Sequence, residues 1–280
     1  MLNLKFVMRI AWYIKKHKLL EDPLWTDLRD GLVSSGAELV EARDVESLRG
    51  SGASLLLSVG GDGTFLSAAR LSVEAGIPIL GVNLGRLGFL SENRPEDICK
   101  AVFSGNFSIE EREMLKVLSD DLPAGFWPYA LNEVSLYRQG AAMIGVDVSF
   151  DGNSLPTYWA DGLLVSTSSG STGYALSAGG PIMTPDVRDL IIAPIAPHNL
   201  NLRPLVVPET TVIELSLSSR DGSAMLSLDT DFVEVASGSR IRVEAASERL
   251  RRVVLGKTNF VDALRSRLFW GEDVRNSKEQ

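Results

Sequence analysis

Leu24, Leu28 and Leu32 recur one helical turn apart, and the pattern stops at Gly36. That spacing predicts a helix with one apolar stripe and a glycine at its end. The segment AELVEA that follows reads as a strand. ASLLLSV (53–59) is a continuous apolar run, as expected for a strand covered on both faces in a parallel sheet. FLSAARLSVEA (65–75) consists mostly of helix formers and ends at Gly76, and IPILGVN (77–83) is apolar again. Strand, glycine-rich turn, helix and strand make a βαβ unit with its glycines at the first turn. RPEDICKAVFSG adds a helix with Pro95 near its start and Gly105 at its end.

After about residue 110 the period changes. ALNEVSLYR, IGVDVSFDG, DGLLVSTS, TVIELSLSS, AMLSLDT, RIRVEAA and RRVVLG are short, alternating and rich in β-branched residues. Asp151-Gly152 and Asp221-Gly222 are hairpin signals. The pattern predicts an α/β N-terminal domain with a Rossmann-like βαβ sheet (1–108) and a mostly antiparallel, all-β C-terminal domain (109–256). A last segment (257–280) carries Phe260, Leu264 and Leu268 on one helix face, which either caps the β domain or packs back on the first.

Composition narrows the function. The chain has 280 residues and a formal net charge of −8. An acidic chain is poorly suited to sequence-independent nucleic-acid binding, which Lys and Arg drive. Cys99 is the one cysteine, so no intrachain disulfide forms, and its place in PEDICKAVF reads as core filling. With only His17 and His198, no multi-histidine metal site can be built, and His198 has no evident Ser or Cys partner for a hydrolase triad. Lys5 and Arg9 interrupt the N-terminal apolar stretch, and no run approaches the roughly 20 apolar residues of a membrane span. The expectation is a cytoplasmic protein with no membrane and no nucleic-acid partner.

Candidate chemistry concentrates in two runs. VGGDGT (59–64) follows a buried strand, where open α/β sheets bind ligands. Its spacing fits neither G-x-G-x-x-G nor a Walker loop. Backbone N–H groups at a helix start favour an anion, so the carboxylate of Asp62 needs another task. It serves as a general base for a substrate hydroxyl, touches a metal, or caps the helix. DGLLVSTSSGSTGYALSAGGP (161–181) supplies small hydroxyl residues and glycines that let backbone approach a ligand, and Tyr174 could lie against a base or ribose; a flexible, solvated loop is the other reading. LNEV (131–134) sets Asn132 and Glu133 in an apolar strand, where one of them must find a partner or a ligand. LSLDTD (226–231) reads as a solvated hairpin end.

GGDGTFLSAAR, GIPILGVNLGRLGFLSE, LNEVSLYR, DGLLVSTSSGSTGYALSAGGPIM, IAPHNLNLRPLVVP and LSLD occur in the order seen in NAD kinases, over about residues 55–232. The chain resembles that family. The resemblance implies transfer of a phosphoryl group from ATP or polyphosphate to the 2′-hydroxyl of the adenosine ribose of NAD, giving NADP. It also implies a divalent cation (Mg²⁺), a homodimer or homotetramer, and a last segment that returns to the first domain; the sequence offers no clustered carboxylate site for a permanent metal, so the cation is expected to arrive with the nucleotide. Asp62 matches the catalytic aspartate, and Gly63 shares its contact. Asn132 and Glu133 match a pair that contacts NAD, and Asp161 matches an NAD-binding aspartate often shared across a subunit interface. Thr172, Gly173, Tyr174, Ala175, Leu176 and Ser177 match the segment that holds the adenosine half. Ala196 and Asp231 fall at two further contact positions.

The chain departs from the family pattern in places. Trp159 stands where many members have a basic residue, so it stacks or packs instead. Ser168-Ser169 replaces a common Pro-Thr, and Thr230-Asp231 stands where Gly-Gln or Gly-His is frequent. The first forty residues show little likeness. GGDGT alone also suits diacylglycerol and sphingosine kinases, and a non-catalytic NAD(P) sensor is a further alternative.

Overall fold

The computed structural model describes residues 8–85, 88–256 and 259–271. The chain divides into two compact units, Met1–Glu111 with Leu250–Gln280, and Arg112–Arg249.

The first unit opens with β1 (Met8–Tyr13), α1 (Pro23–Ser34), β2 (Ala37–Glu41), α2 (Val45–Gly50) and β3 (Leu55–Val59). It continues through α3 (Asp62–Ala75), β4 (Ile79–Val82), α4 (Pro95–Ser104) and β5 (Ser108–Arg112). Asp22 caps α1 by accepting a hydrogen bond from the Leu24 N–H at 3.0 Å, and Pro23 supplies a preset first turn. The buried stripe of α1 is Trp25, Leu28 and Leu32, while Leu24 is 45% exposed. At its first position the expected leucine repeat gives way to the neighbouring residue, because the larger indole of Trp25 fills the core and packs on Trp12 at a 53° tilt, ring centroids 5.5 Å apart. Every residue of β3 is buried, and β1, β3 and β4 pair in parallel. Cys99 is half-buried against the same core.

The second unit holds β6 (Leu115–Leu118), β7 (Tyr129–Ala130), β8 (Glu133–Tyr137), β9 (Ile144–Phe150), β10 (Asn153–Ser154) and β11 (Tyr158–Ser166). A 3-10 turn (Ser169–Thr172) leads into the short α5 (Tyr174–Ser177). Then come β12 (Asp189–Pro197), β13 (Leu205–Pro208), β14 (Ile213–Ser219), β15 (Ser223–Leu228), β16 (Asp231–Ala236) and β17 (Arg240–Ala245). They form a twelve-stranded sheet whose main path runs β16-β15-β8-β11-β9-β14-β17-β6-β7. Alternate residues fill its core, Val134, Leu136, Leu226 and Leu228 among them.

Asp151 and Gly152 take φ of 49° and 78° and join β9 to β10 as a tight hairpin. Asp221-Gly222 also turns, with Gly222 at φ 86°, but the strands it joins do not pair with each other. β14 pairs with β9 and β17, whereas β15 pairs with β8 and β16. The hairpin expected there is a crossing between two parts of the sheet.

The chain then returns to the first unit as β18 (Leu250–Val254) and α6 (Phe260–Leu268). RRVVLG, expected within the β-rich domain, forms β18 and pairs in parallel with β4 instead. The reason is chemical: Val253 and Leu255 fill the first core, and the buried Arg252 meets Glu92 at 2.6 Å and Glu110 at 2.9 Å. The first sheet therefore runs β2-β1-β3-β4-β18-β5. Helix α6 packs on the same unit, with Phe260 against Phe89 at 6.1 Å.

Candidate active site

The glycine loop leaves the buried end of β3. Gly60 takes φ 147°, and a Cβ there would press on the Thr64 side chain, so only glycine makes this turn without strain. Gly61 is the N-cap and Asp62 the first residue of α3. The helix thus starts three residues before the sequence pattern placed it. The first turn of a helix presents N–H groups without intrahelical partners, and Gly63 lies exposed in it.

The Asp62 side chain does not cap α3. It turns to the segment after β4, where Oδ2 accepts from the Phe89 N–H at 2.8 Å. Its Oδ1 accepts from Leu90 at 3.1 Å and Ser91 at 2.9 Å. A Cβ on Gly88 would overlap this carboxylate. Ser91 Oγ donates to the Gly60 carbonyl at 2.7 Å, and Asn83 Nδ2 donates to the Ser91 carbonyl at 3.1 Å. Asp62 is therefore a half-buried carboxylate fixed by amides, with an acceptor position left on Oδ2.

In the second unit, Asp229 does the corresponding work. It adopts φ 51° at the turn after β15, and its carboxylate accepts from the N–H groups of Leu131 (2.6 Å), Asn132 (2.8 Å) and Glu133 (3.0 Å). On the other side, Thr167 donates through its N–H to the Asn132 carbonyl at 2.9 Å and through Oγ1 to the Leu131 carbonyl at 2.6 Å. The backbone of 131–133 is thus held from both sides. A Cβ on Gly170 would collide with the Asn132 carbonyl, and one on Gly173 would stand 3.3 Å from Glu133 Oε2.

This grip presents two unpaired oxygens, because Asn132 Oδ1 and Glu133 Oε2 are buried with no hydrogen-bond partner. Burial pushes the Glu133 carboxyl up to about 8, helped by the charge of Asp229 and opposed by the Tyr174 N–H. Asp229 rises to about 6, mainly through burial and against the three amides that hold it.

Of the other sequence candidates, Gly173 and Tyr174 adjoin this cradle, and the rest lie elsewhere in the same unit. Thr172 ends the 3-10 turn, Gly173 links it to α5, and Tyr174, Ala175, Leu176 and Ser177 are α5 itself, with Ala175 buried and Tyr174 40% exposed. Asp161 on β11 pairs with Arg138, Oδ1 with Nε at 2.7 Å and Oδ2 with Nη2 at 3.3 Å. Trp159, 42% exposed, lays its indole over Gly145 of β9, where a Cβ would stand only 2.9 Å from the ring. Ala196 is exposed at φ 46° on β12, and Asp231 is exposed at the start of β16. The residues that position the two acids escaped the sequence reading. Asp229, read as part of a solvated turn, is two residues from the named Asp231, and the alternation that buries Leu226 and Leu228 was its signal.

Both units have family counterparts. The profile of the ATP-NAD kinase N-terminal domain matches residues 15–105, and that of the ATP-NAD kinase C-terminal domain matches residues 131–255. The NAD kinase of Flavobacterium johnsoniae is 42% identical over 228 residues, 79% of this chain and 78% of that protein. That of Bacteroides fragilis is 39% identical over 240 residues, 84% and 83% of the two chains. Among solved structures, an NAD kinase from Archaeoglobus fulgidus in complex with ATP superposes with a TM-score of 0.75 at 29% identity, covering 92% of this chain and 99% of that one. Yeast NADH kinase complexed with NADH gives a TM-score of 0.81 at 23% identity, covering 98% and 91%, a likeness of fold. With both domain profiles matched and relatives near 40% identity over most of their length, the chain belongs to the NAD kinase family of phosphotransferases.

Proposed function

We propose that the protein phosphorylates the 2′-hydroxyl of the adenosine ribose of NAD, with ATP or polyphosphate as donor, to give NADP. The observation that carries this reading is the pair of buried, unpartnered oxygens, Asn132 Oδ1 and Glu133 Oε2, on a backbone gripped from both sides. A buried polar atom without a partner is costly, and it is retained where a ligand supplies the partner. Adenosine offers an exocyclic amine and ribose hydroxyls. Thr172 to Ser177 line the adenosine half, and the Arg138–Asp161 pair presents a fixed carboxylate to the same ligand. Trp159 gives an apolar face where many relatives have a positive charge.

Asp62 acts as the general base. Its free acceptor position on Oδ2 takes the proton as the hydroxyl oxygen bonds to the terminal phosphorus of the donor. The bond between that phosphorus and the bridging oxygen breaks, and ADP leaves, or the polyphosphate shortened by one phosphate. Phosphoryl transfer depends mainly on positioning and charge stabilisation, and the amides on Asp62 fix its direction. Among the described residues no group of three His, Cys, Asp or Glu can hold a metal ion. In this reading the divalent cation comes bound to the donor phosphates.

The three amides on Asp62 also favour a second reading, a non-catalytic NAD(P) sensor in which this carboxylate only braces its loop. Mass-spectrometric detection of NADP from NAD and ATP decides between them, with diacylglycerol as the acceptor that tests a lipid kinase. NADP formation supports the kinase. Tight NADP binding with no turnover on any donor supports the sensor.

The homodimer or homotetramer implied by the family is tested by light scattering. Among the described residues no helix is long and apolar enough to cross a membrane, and the proposed place of action is the cytoplasm.

A further inference from the structure

Arg267 has no task in the reaction as described. It lies one residue from the end of α6, and its guanidinium stands over the Phe89 ring at 5.4 Å. The same ring packs on Phe260, and the Phe89 N–H is one of the three that hold Asp62. The helix therefore delivers a cation to the immediate surroundings of the proposed base.

Among the described residues this cation has no carboxylate partner. Its Nε is buried with no hydrogen-bond partner. Several arginines of the first unit meet carboxylates, as Arg9 does Glu38, Arg70 does Glu74, and Arg252 does Glu92 and Glu110, while Arg49 and Arg251 bond backbone carbonyls. Arg267 forms no such pair among the described residues. The nearby acids are engaged elsewhere, Asp62 by amides and Glu92 by Arg252. Burial weakens the hold of Arg267 on its proton, while the charges of Asp62 and Glu92 strengthen it. Partial burial of a guanidinium with open donors is costly unless an anion completes it, and its planar fork matches phosphate oxygens.

We infer that Arg267 binds a phosphate group of the phosphoryl donor beside Asp62. The inference rests on the kinase reading for the identity of the donor, so its test uses binding as well as turnover. Calorimetry with inorganic tripolyphosphate, ATP and NAD would be run on the wild type, Arg267→Ala, Arg267→Lys and Phe260→Leu. Arg267→Ala is expected to weaken tripolyphosphate and ATP about 10–100-fold, the loss of a charged hydrogen bond, while NAD affinity stays unchanged. In turnover, the donor KM rises and the NAD KM does not. Arg267→Lys keeps part of the affinity, since charge remains and the fork is lost. Phe260→Leu loosens the helix contact but leaves tripolyphosphate binding intact.

Unchanged tripolyphosphate affinity in Arg267→Ala overturns the inference, as do parallel losses of donor and NAD binding shared with Phe260→Leu. Should Arg267→Ala not fold, Arg267→Lys decides: weaker tripolyphosphate with unchanged NAD supports the inference, and unchanged tripolyphosphate sinks it. Arg267-dependent polyphosphate binding without NADP formation would defeat the kinase reading alone.

Discussion

In the proposed reaction Asp62 does two jobs that one substitution separates. In Asp62→Asn the amide oxygen can keep the Leu90 and Ser91 hydrogen bonds, but the NH₂ group then faces the Phe89 N–H. Loss of a general base costs on the order of 10²–10⁴-fold in turnover. The unpaired donor costs about 1–3 kcal/mol of stability. We expect NAD binding to survive, kcat to fall within that range and the urea midpoint to drop; an unchanged midpoint would contradict the amide bracket. Gly88→Ala reaches the same carboxylate from the other side, because its Cβ would overlap Asp62. It should lower kcat while leaving NAD affinity near wild type, and full activity in this variant would show that Asp62 need not stay in place. At this scale the acid itself was legible from GGDGT, but its partners were not. They lie 27 to 29 residues further along the chain and contribute only backbone N–H groups, which no side-chain pattern encodes. The shift from Leu24 to Trp25 in α1 has a similar origin, since periodicity fixes a face only to within one residue and packing volume decides the rest.

Among the elements, the segment 131–133 is the part of the site most dependent on a distant residue. Asp229→Ala removes the acceptor of three N–H groups at once and should weaken NAD binding together with stability. Calorimetry with NAD checks this, and affinity equal to wild type would show that the grip is dispensable. The strands of this unit were readable from alternation and from turn residues, but their partners were not. Asp151-Gly152 and Asp221-Gly222 look alike in sequence and both reverse the chain. Only the first joins paired strands, because pairing is set by where the following strand finds a matching apolar face. β18 makes the same point, since its assignment to the first sheet depends on a buried Arg252 whose carboxylate partners lie more than a hundred residues earlier.

For the whole molecule, buried acids set a pH dependence. Glu113 in the second unit rises to about 8 from an ordinary 4.5, through burial and then the like charge of Glu209, against Arg249 and Arg188. Glu133 rises to about 8 for its own reasons. Between 4.5 and about 8 the folded state therefore binds more protons than the unfolded state, so stability falls as pH rises through that window and levels off above it. Urea unfolding across this range should show the fall, and Glu113→Gln should flatten it; an equal slope in the variant would place the dependence elsewhere. The two-part architecture was visible in the change from helical to alternating period near residue 110, and the ordered motifs named the family before any geometry was known. The central claim is that this chain makes NADP with Asp62 as base. The most direct measurement is isotope-labelled phosphoryl transfer from ATP to NAD, with the site of phosphorylation assigned by mass spectrometry and phosphorus NMR, for wild type and Asp62→Asn. Label on the adenosine 2′-oxygen, with turnover reduced at least about 10²-fold in the variant, is the predicted result. No labelled NADP from the wild type with either ATP or polyphosphate, or equal rates in the two proteins, would contradict it.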